Sequence, residues 1–253
     1  MNKITVGQIG VGYWGPNLLR NLISNQNCYV KTVVDLSTER QDYVKKLYPK
    51  ISTSGNADDI FLDKEIDAVI IATPVHTHFD YSMLALQNKK HILVEKPMAI
   101  KSSEIKEIKN LSTKKNLVAM VGHTFLYNNA VRYIKKIIDD NSLGDIRYIY
   151  CQRLNLGRIR NDVDALWNFA PHDISIIQYW LNDINPISIS RNGVDYIQDG
   201  IEDVTFLNIL YPNKVMANIH VSWLDPHKVR KITIVGSKKM VVYDDMSEHK
   251  VAI

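Results

Sequence analysis

Gly10-Val11-Gly12-Tyr13-Trp14-Gly15 spaces three glycines as G-x-G-x-x-G, directly after the apolar run 4–9 and directly before a helical stretch opening at Pro16. In that setting each glycine has a mechanical reading: Gly10 permits the turn, Gly12 lets a pyrophosphate approach the backbone, and Gly15 lets helix and strand pack closely. The helix N-terminus then offers unpaired N–H groups and partial positive charge to phosphates, with Tyr13 and Trp14 in the same contact zone. The expected companion is an acid about 20 residues after the last glycine. Asp35 stands there, closing the apolar run 30–34. Its carboxylate would accept both ribose hydroxyls of NAD and repel a 2′-phosphate, so NAD is expected over NADP. Arg40 is the neighbour that could reach such a phosphate.

Two further segments carry chemistry. Ala72-Thr73-Pro74-Val75-His76-Thr77-His78 follows the fourth apolar run, and Val94-Glu95-Lys96-Pro97 closes the fifth. Open α/β sheets bind ligands at the carboxyl ends of their strands. A lysine held rigidly before a proline at such an edge is partly desolvated, which lowers its pKa and suits it to acid–base work.

The elements that must position these residues alternate through the first half. Strands are expected at 4–9, 30–34, 68–72, 92–94 and 118–121, with helices at 16–24, 38–47, 79–87 and 104–111. Short β-branched runs between helices indicate βαβ units on a parallel sheet, hence a Rossmann domain over 1–122. After Gly122 the pattern changes. A helix at 129–140 precedes a long strand at 146–156, an arginine-bearing loop, a helix at 171–181, and strands at 187–191, 204–211, 214–223, 231–235 and 240–243. Residues 123–253 are therefore expected to form an α+β domain on a mainly antiparallel sheet. The fold class is α/β with two domains.

These residues resemble the glucose–fructose oxidoreductase, inositol dehydrogenase and MocA family of sugar dehydrogenases, across nearly the whole chain. The resemblance matches Lys96 to the family's catalytic lysine and Pro97 to its usually cis proline, with Glu95 completing the triplet. Gly10, Gly12, Gly15 and Asp35 match its cofactor site, and Thr73, Pro74 and His78 the loop beside the nicotinamide. The run Gly12-Tyr13-Trp14-Gly15-Pro16-Asn17 resembles the branch associated with nucleotide sugars and surface polysaccharides. An Asp-x-x-x-His pair commonly completes the family's site. Here His172 matches the histidine, but Asn168 holds the acid's position and cannot take a proton. Pro171 suits a helix start, which would place His172 in the first turn, kept neutral by the helix dipole, and leave Asp173 as a dipole partner.

The implied reaction is hydride exchange between NAD and a sugar hydroxyl or ketone, with Lys96 and His172 acting on one carbinol. A nucleotide-linked sugar is the expected substrate, an inositol, polyol or free sugar the alternative. A non-catalytic NAD or sugar-nucleotide binding protein is the rival of another class. His123, Tyr127, Arg153, Asn155 and Arg158 are substrate-side candidates. Arginines there would pair with a diphosphate or uronate, or serve as surface or subunit contacts.

Lys and Arg number 31 against 27 Asp and Glu, a net charge of +4, too small and scattered to indicate nucleic acid. The two cysteines, Cys28 and Cys151, make neither a disulfide framework nor a metal pattern, and no metal is expected. No apolar run approaches a membrane span and no leader precedes the first strand, so a cytoplasmic protein is expected. The family resemblance also implies a longer second domain, so that this one is expected to be shortened, whether as a fragment, a naturally short enzyme or one completed by oligomerisation, with self-association through the C-terminal sheet.

Overall fold

The computed structural model describes residues 3–157 and 159–253. The chain divides into two units, Met1–Gly122 and His123–Ile253.

In the first unit the short apolar runs become β1 (Ile4–Ile9), β2 (Cys28–Val34), β3 (Ser52–Ser54), β4 (Ala68–Ile71), β5 (His91–Val94) and β6 (Ala119–Val121). They pair in parallel in the order β3-β2-β1-β4-β5-β6. Parallel neighbours need crossovers, and these are α1 (Gly15–Ser24), α2 (Thr38–Leu47), α3 (Asp58–Phe61), α4 (His78–Gln87) and α5 (Ser102–Lys115). Two apolar clusters hold the layers, one around Val11, Leu19, Val33 and Val44, the other around Ile60, Val69, Leu86, Ile92 and Ile108. The order reverses between β1 and β4, so the loops after these strands diverge and leave a crevice between them.

The second unit contains α6 (Asn129–Asp139), β7 (Ile146–Leu156), α7 (Ala165–Trp180), β8 (Ser188–Val194), β9 (Val204–Leu210), β10 (Met216–Ser222), β11 (Leu224–Gly236), β12 (Met240–Asp244) and β13 (Val251–Ala252). Its sheet runs β13-β12-β11-β7-β10-β9-β8, antiparallel except where β7 meets β10. On β10 the buried Ala217, Ile219 and Val221 alternate with less buried neighbours, giving one packed face. That face joins Trp180, Tyr211, Trp223 and Tyr243 in a single core. Trp180 donates its indole N–H to the Val131 carbonyl at 2.9 Å, tying α7 to α6.

Two elements start six or seven residues before the positions the sequence predicts. The helix expected from Pro171 opens at Ala165, where the Asp164 side chain accepts the Trp167 N–H, and Pro171 lies inside it. A proline there removes only the bond to the Trp167 carbonyl. The cap and the burial of Ala165, Ala170, Ile176, Ile177 and Trp180 outweigh a cost of about 3 kcal/mol. The strand expected from residue 231 begins at Leu224. Pro226 sits where the register with β7 slips between Leu224 and Val229, the irregular kind of position a proline tolerates. Among the described residues no helix is long and apolar enough to cross a membrane.

Candidate active site

In the first unit the glycine loop is built around Gln8. This buried side chain donates from its amide nitrogen to the carbonyls of Gly10 and Gly15, both at 2.9 Å, drawing the two ends of the turn together. Gly10 has φ of 94°, which a side chain would strain. A Cβ on Gly15 would run into the Gly10 carbonyl oxygen, so that glycine serves the fold. A Cβ on Gly12 would meet nothing of the chain within 4 Å. The cradle at Gly12 thus suits a group from outside the chain, and the adjoining start of α1 has no side-chain cap and no acid in its first turn. Both features fit a pyrophosphate.

Asp35, at the end of β2, accepts the Val11 N–H at 2.7 Å on one oxygen and the Ser37 N–H at 2.9 Å on the other. These bonds fix the carboxylate beside the loop and leave further lone pairs for ribose hydroxyls. Gly10, Gly12, Asp35, Thr73 and Pro74 line one cleft of about 330 Å³. Leu36, Gly55, Ala57, His76, Thr77 and Tyr81 line it too. Of these, sequence reasoning had a signal for Leu36, which directly follows Asp35, and for His76 and Thr77, which lie in the segment after β4, but none for Gly55, Ala57 or Tyr81. Tyr13 is 85% exposed and, like Trp14, does not line the cleft.

The two strand-end segments are joined by His78. Its ring is 2% exposed, with Nδ1 2.7 Å from the Pro97 carbonyl oxygen and Nε2 2.8 Å from that of Thr73. Two carbonyl acceptors favour the imidazolium. Burial disfavours it more strongly, holding the pKa below the ordinary histidine value. Thr73 is steadied by a hydroxyl contact with Thr77 at 2.6 Å. Lys96 follows Glu95 at the end of β5 and precedes a cis peptide to Pro97. Its backbone N–H donates to the Glu95 carboxylate at 3.2 Å, and burial pushes the Glu95 carboxyl pKa up.

The second unit corrects three expectations. His172 lies in the interior of α7, beyond the reach of the N-terminal dipole, because the helix begins seven residues earlier. Asp173 is no dipole partner: it is 1% exposed and accepts two hydrogen bonds from Arg153, Nε to Oδ2 at 2.9 Å and Nη2 to Oδ1 at 2.8 Å. Arg153, expected to reach substrate, is consumed by this buried pair at 5% exposure. Asn168 precedes His172 by one helical turn, so both fall on one side of α7. Phe125, which sequence reasoning missed for want of any motif, packs edge-on against His172 with ring centroids 5.0 Å apart. His123 opens this unit, Tyr127 is exposed beneath the Arg132 guanidinium, and Asn155 is half-buried near the end of β7. Arg158 lies outside the described residues. Among the described residues no cluster of His, Cys, Asp or Glu is arranged to hold a metal.

Residues 4–123 match the profile of the oxidoreductase family with an NAD-binding Rossmann fold (GFO_IDH_MocA), and residues 131–242 that of the GFO/IDH/MocA C-terminal domain. A UDP-N-acetylglucosamine 3-dehydrogenase of Acidithiobacillus ferrooxidans is 28% identical over 96% of this chain and 75% of its own. An NADP(+)-dependent scyllo-inositol 2-dehydrogenase of Bacillus subtilis is 29% identical over 66% of this chain and 45% of its own. The crystal structure of GenD2 from gentamicin A biosynthesis, in complex with NAD, superposes with a TM-score of 0.91 at 17% identity, covering 96% of this chain and 73% of that one. The chain spans about half to three quarters of the length of the curated relatives it matches.

Proposed function

The chain belongs to the GFO/IDH/MocA oxidoreductases, with an N-terminal NAD-binding Rossmann domain, and on that premise we propose that it is an NAD-dependent dehydrogenase of a carbinol on a nucleotide-linked sugar. The observation that carries the reading lies within the first unit. His78 ties the turn bearing Lys96 to Thr73, and Thr73 lines the same cleft as Gly12 and Asp35. This link supports reading Lys96 as the residue that acts beside a dinucleotide cleft. NAD, when bound, supplies the hydride acceptor or donor at the nicotinamide C4.

The protein's own part is proton and charge handling. The Lys96 ammonium donates to the substrate oxygen and stabilises the alkoxide that develops there. His172 accepts the hydroxyl proton in oxidation and returns it in reduction; in the alternative a neutral Lys96 amine accepts that proton and becomes the ammonium that stabilises the alkoxide. Asn168 orients the hydroxyl by hydrogen bonding and takes no proton. His123, Tyr127, Asn155 and Arg158 are assigned to the substrate side, and the cytoplasm is the proposed location. The relationship to UDP-N-acetylglucosamine 3-dehydrogenase favours a nucleotide sugar, while that to scyllo-inositol 2-dehydrogenase supports a polyol as the second reading.

The absorbance of reduced nicotinamide during incubation with NAD and UDP-N-acetylglucosamine, UDP-glucose, scyllo-inositol or myo-inositol tests the assignment. Turnover is expected with a nucleotide sugar. Lys96→Met should abolish it and spare NAD affinity. Tight NAD binding with no turnover of any sugar or polyol would replace the enzyme with the binding protein.

Self-association is proposed through the open face of the C-terminal sheet. Met240, Val235, Tyr148, Met216 and Leu210 stand side by side across β12, β11, β7, β10 and β9. Four of them are exposed large apolar side chains, a row suited to the same row on a second copy. Met216→Glu should yield monomers by light scattering if the native protein is larger.

A further inference from the structure

Arg153 and Asp173 form a doubly hydrogen-bonded ion pair in the core of the second unit, at 5% and 1% exposure. Such a pair is poor value as a stabiliser, because desolvating both charges offsets most of their attraction and apolar residues of similar volume often serve as well. What the pair does supply is geometry. The forked contact fixes the guanidinium plane, and its carbon lies 4.8 Å from the centroid of the Phe125 ring. Phe125 in turn meets the His172 imidazole at 5.0 Å and 61°. Asp173 is also the residue after His172, so the pair pins α7 to β7 at that point of the helix.

We propose that Arg153, Asp173 and Phe125 are positioning residues that together set the ring plane of His172. The inference rests on the reading of His172 as the proton acceptor for its consequence in turnover, but not for its structural content. The guanidinium holds the Phe125 ring by its face, and that ring confines the imidazole from one side. The His172 nitrogens are thereby presented in one orientation to a substrate hydroxyl. Misplacing such a group by about 1 Å costs on the order of a hundredfold in rate.

The test is the double variant Arg153→Met/Asp173→Leu, which keeps volume and removes both charges, studied as the full chain with NAD added. Melting temperature reports folding. The His172 Cε1–H resonance, shifted by the ring current of Phe125, reports orientation and is identified by its loss in His172→Gln. The expected result is a folded protein whose His172 resonance moves away from the native position. An unchanged resonance in a folded variant overturns the proposal. Should the double variant not fold, Arg153→Lys keeps the charge but loses the fork and the flat face over Phe125, and is read by the same resonance. Turnover separates the two readings. If His172→Gln still turns over substrate while the resonance moves, positioning stands and the catalytic role of His172 falls. If His172→Gln is inactive, the double variant is expected to lose about tenfold or more in kcat with KM for NAD unchanged.

Discussion

The His78 imidazole lies 2.7 Å from the Pro97 carbonyl oxygen and spans to Thr73 with its other nitrogen, so one buried ring couples the loops after β4 and β5. Replacing it with alanine leaves a cavity and removes the single N–H that the neutral ring gives to one of these carbonyls, at about 1–3 kcal/mol for the group left unsatisfied. His78→Ala should therefore lower the melting temperature and impair Lys96-dependent turnover together.

The same residue gives a pH signature. Burial, its largest influence, holds its pKa below the ordinary value, with the two carbonyls opposing. In the window below about 6.5 the unfolded chain binds a proton that the folded chain refuses, so stability rises with pH through that window and is lost on acidification. Urea denaturation at a series of pH values checks this. The slope should be shallower in His78→Gln, and an equal slope in both proteins would remove His78 from the account.

The glycines of the first loop should separate fold from ligand. Gly15→Ala drives a methyl into the Gly10 carbonyl and should cost roughly 1–3 kcal/mol of stability. Gly12→Ala meets nothing in the protein and should melt like the native chain, while weakening NAD by about tenfold or more through a clash with the pyrophosphate. Thermal melting and calorimetric titration of NAD distinguish the two. Equal NAD affinity in Gly12→Ala would place the pyrophosphate elsewhere.

Asp35 should govern the choice of nucleotide. Its oxygens are oriented by the Val11 and Ser37 amides, and hydrogen bonds to a charged acceptor contribute about 1.5–3 kcal/mol. Asp35→Ser should weaken NAD by roughly tenfold to a hundredfold. It should also narrow the gap to NADP by removing the charge that repels a 2′-phosphate. Arg40 is exposed on the first turn of α2, beside Ser37, and the double variant Asp35→Ser/Arg40→Ala shows whether it helps NADP. An NAD affinity untouched by Asp35→Ser would exclude this carboxylate as the ribose acceptor.

The legible parts of this chain were those written in local spacing. The glycine loop, Asp35 at the end of β2 and the Glu95-Lys96-Pro97 turn all follow from short-range pattern, since each acts through backbone geometry within a few residues. The second unit hid its logic because its contacts are distant in sequence. Nothing local announces that Arg153 pairs with Asp173 across 20 residues or that Phe125 meets His172. Proline misled at Pro171, which reads as a helix start, whereas the cap at Asp164 decides where α7 opens. Asp164 was the available signal, an acceptor directly before Ala165-Leu166-Trp167.

Asn168 offers the sharpest remaining probe of the proposed chemistry. It stands one turn before His172 on the same side of α7, where the family resemblance implies an acid. Asn168→Asp adds a negative charge near the imidazole, favours its protonated form and raises its pKa. As a base His172 must be unprotonated in the oxidation direction, so the acidic limb of the kcat/KM profile should move to higher pH. At low pH the variant should be slower than the native protein, and at high pH the two should converge. Initial rates with NAD across pH 5–10 (about the range bracketing the imidazole) measure the displacement. A limb that stays in place, in a variant that folds and binds NAD normally, would mean that the titrating base is a group other than His172.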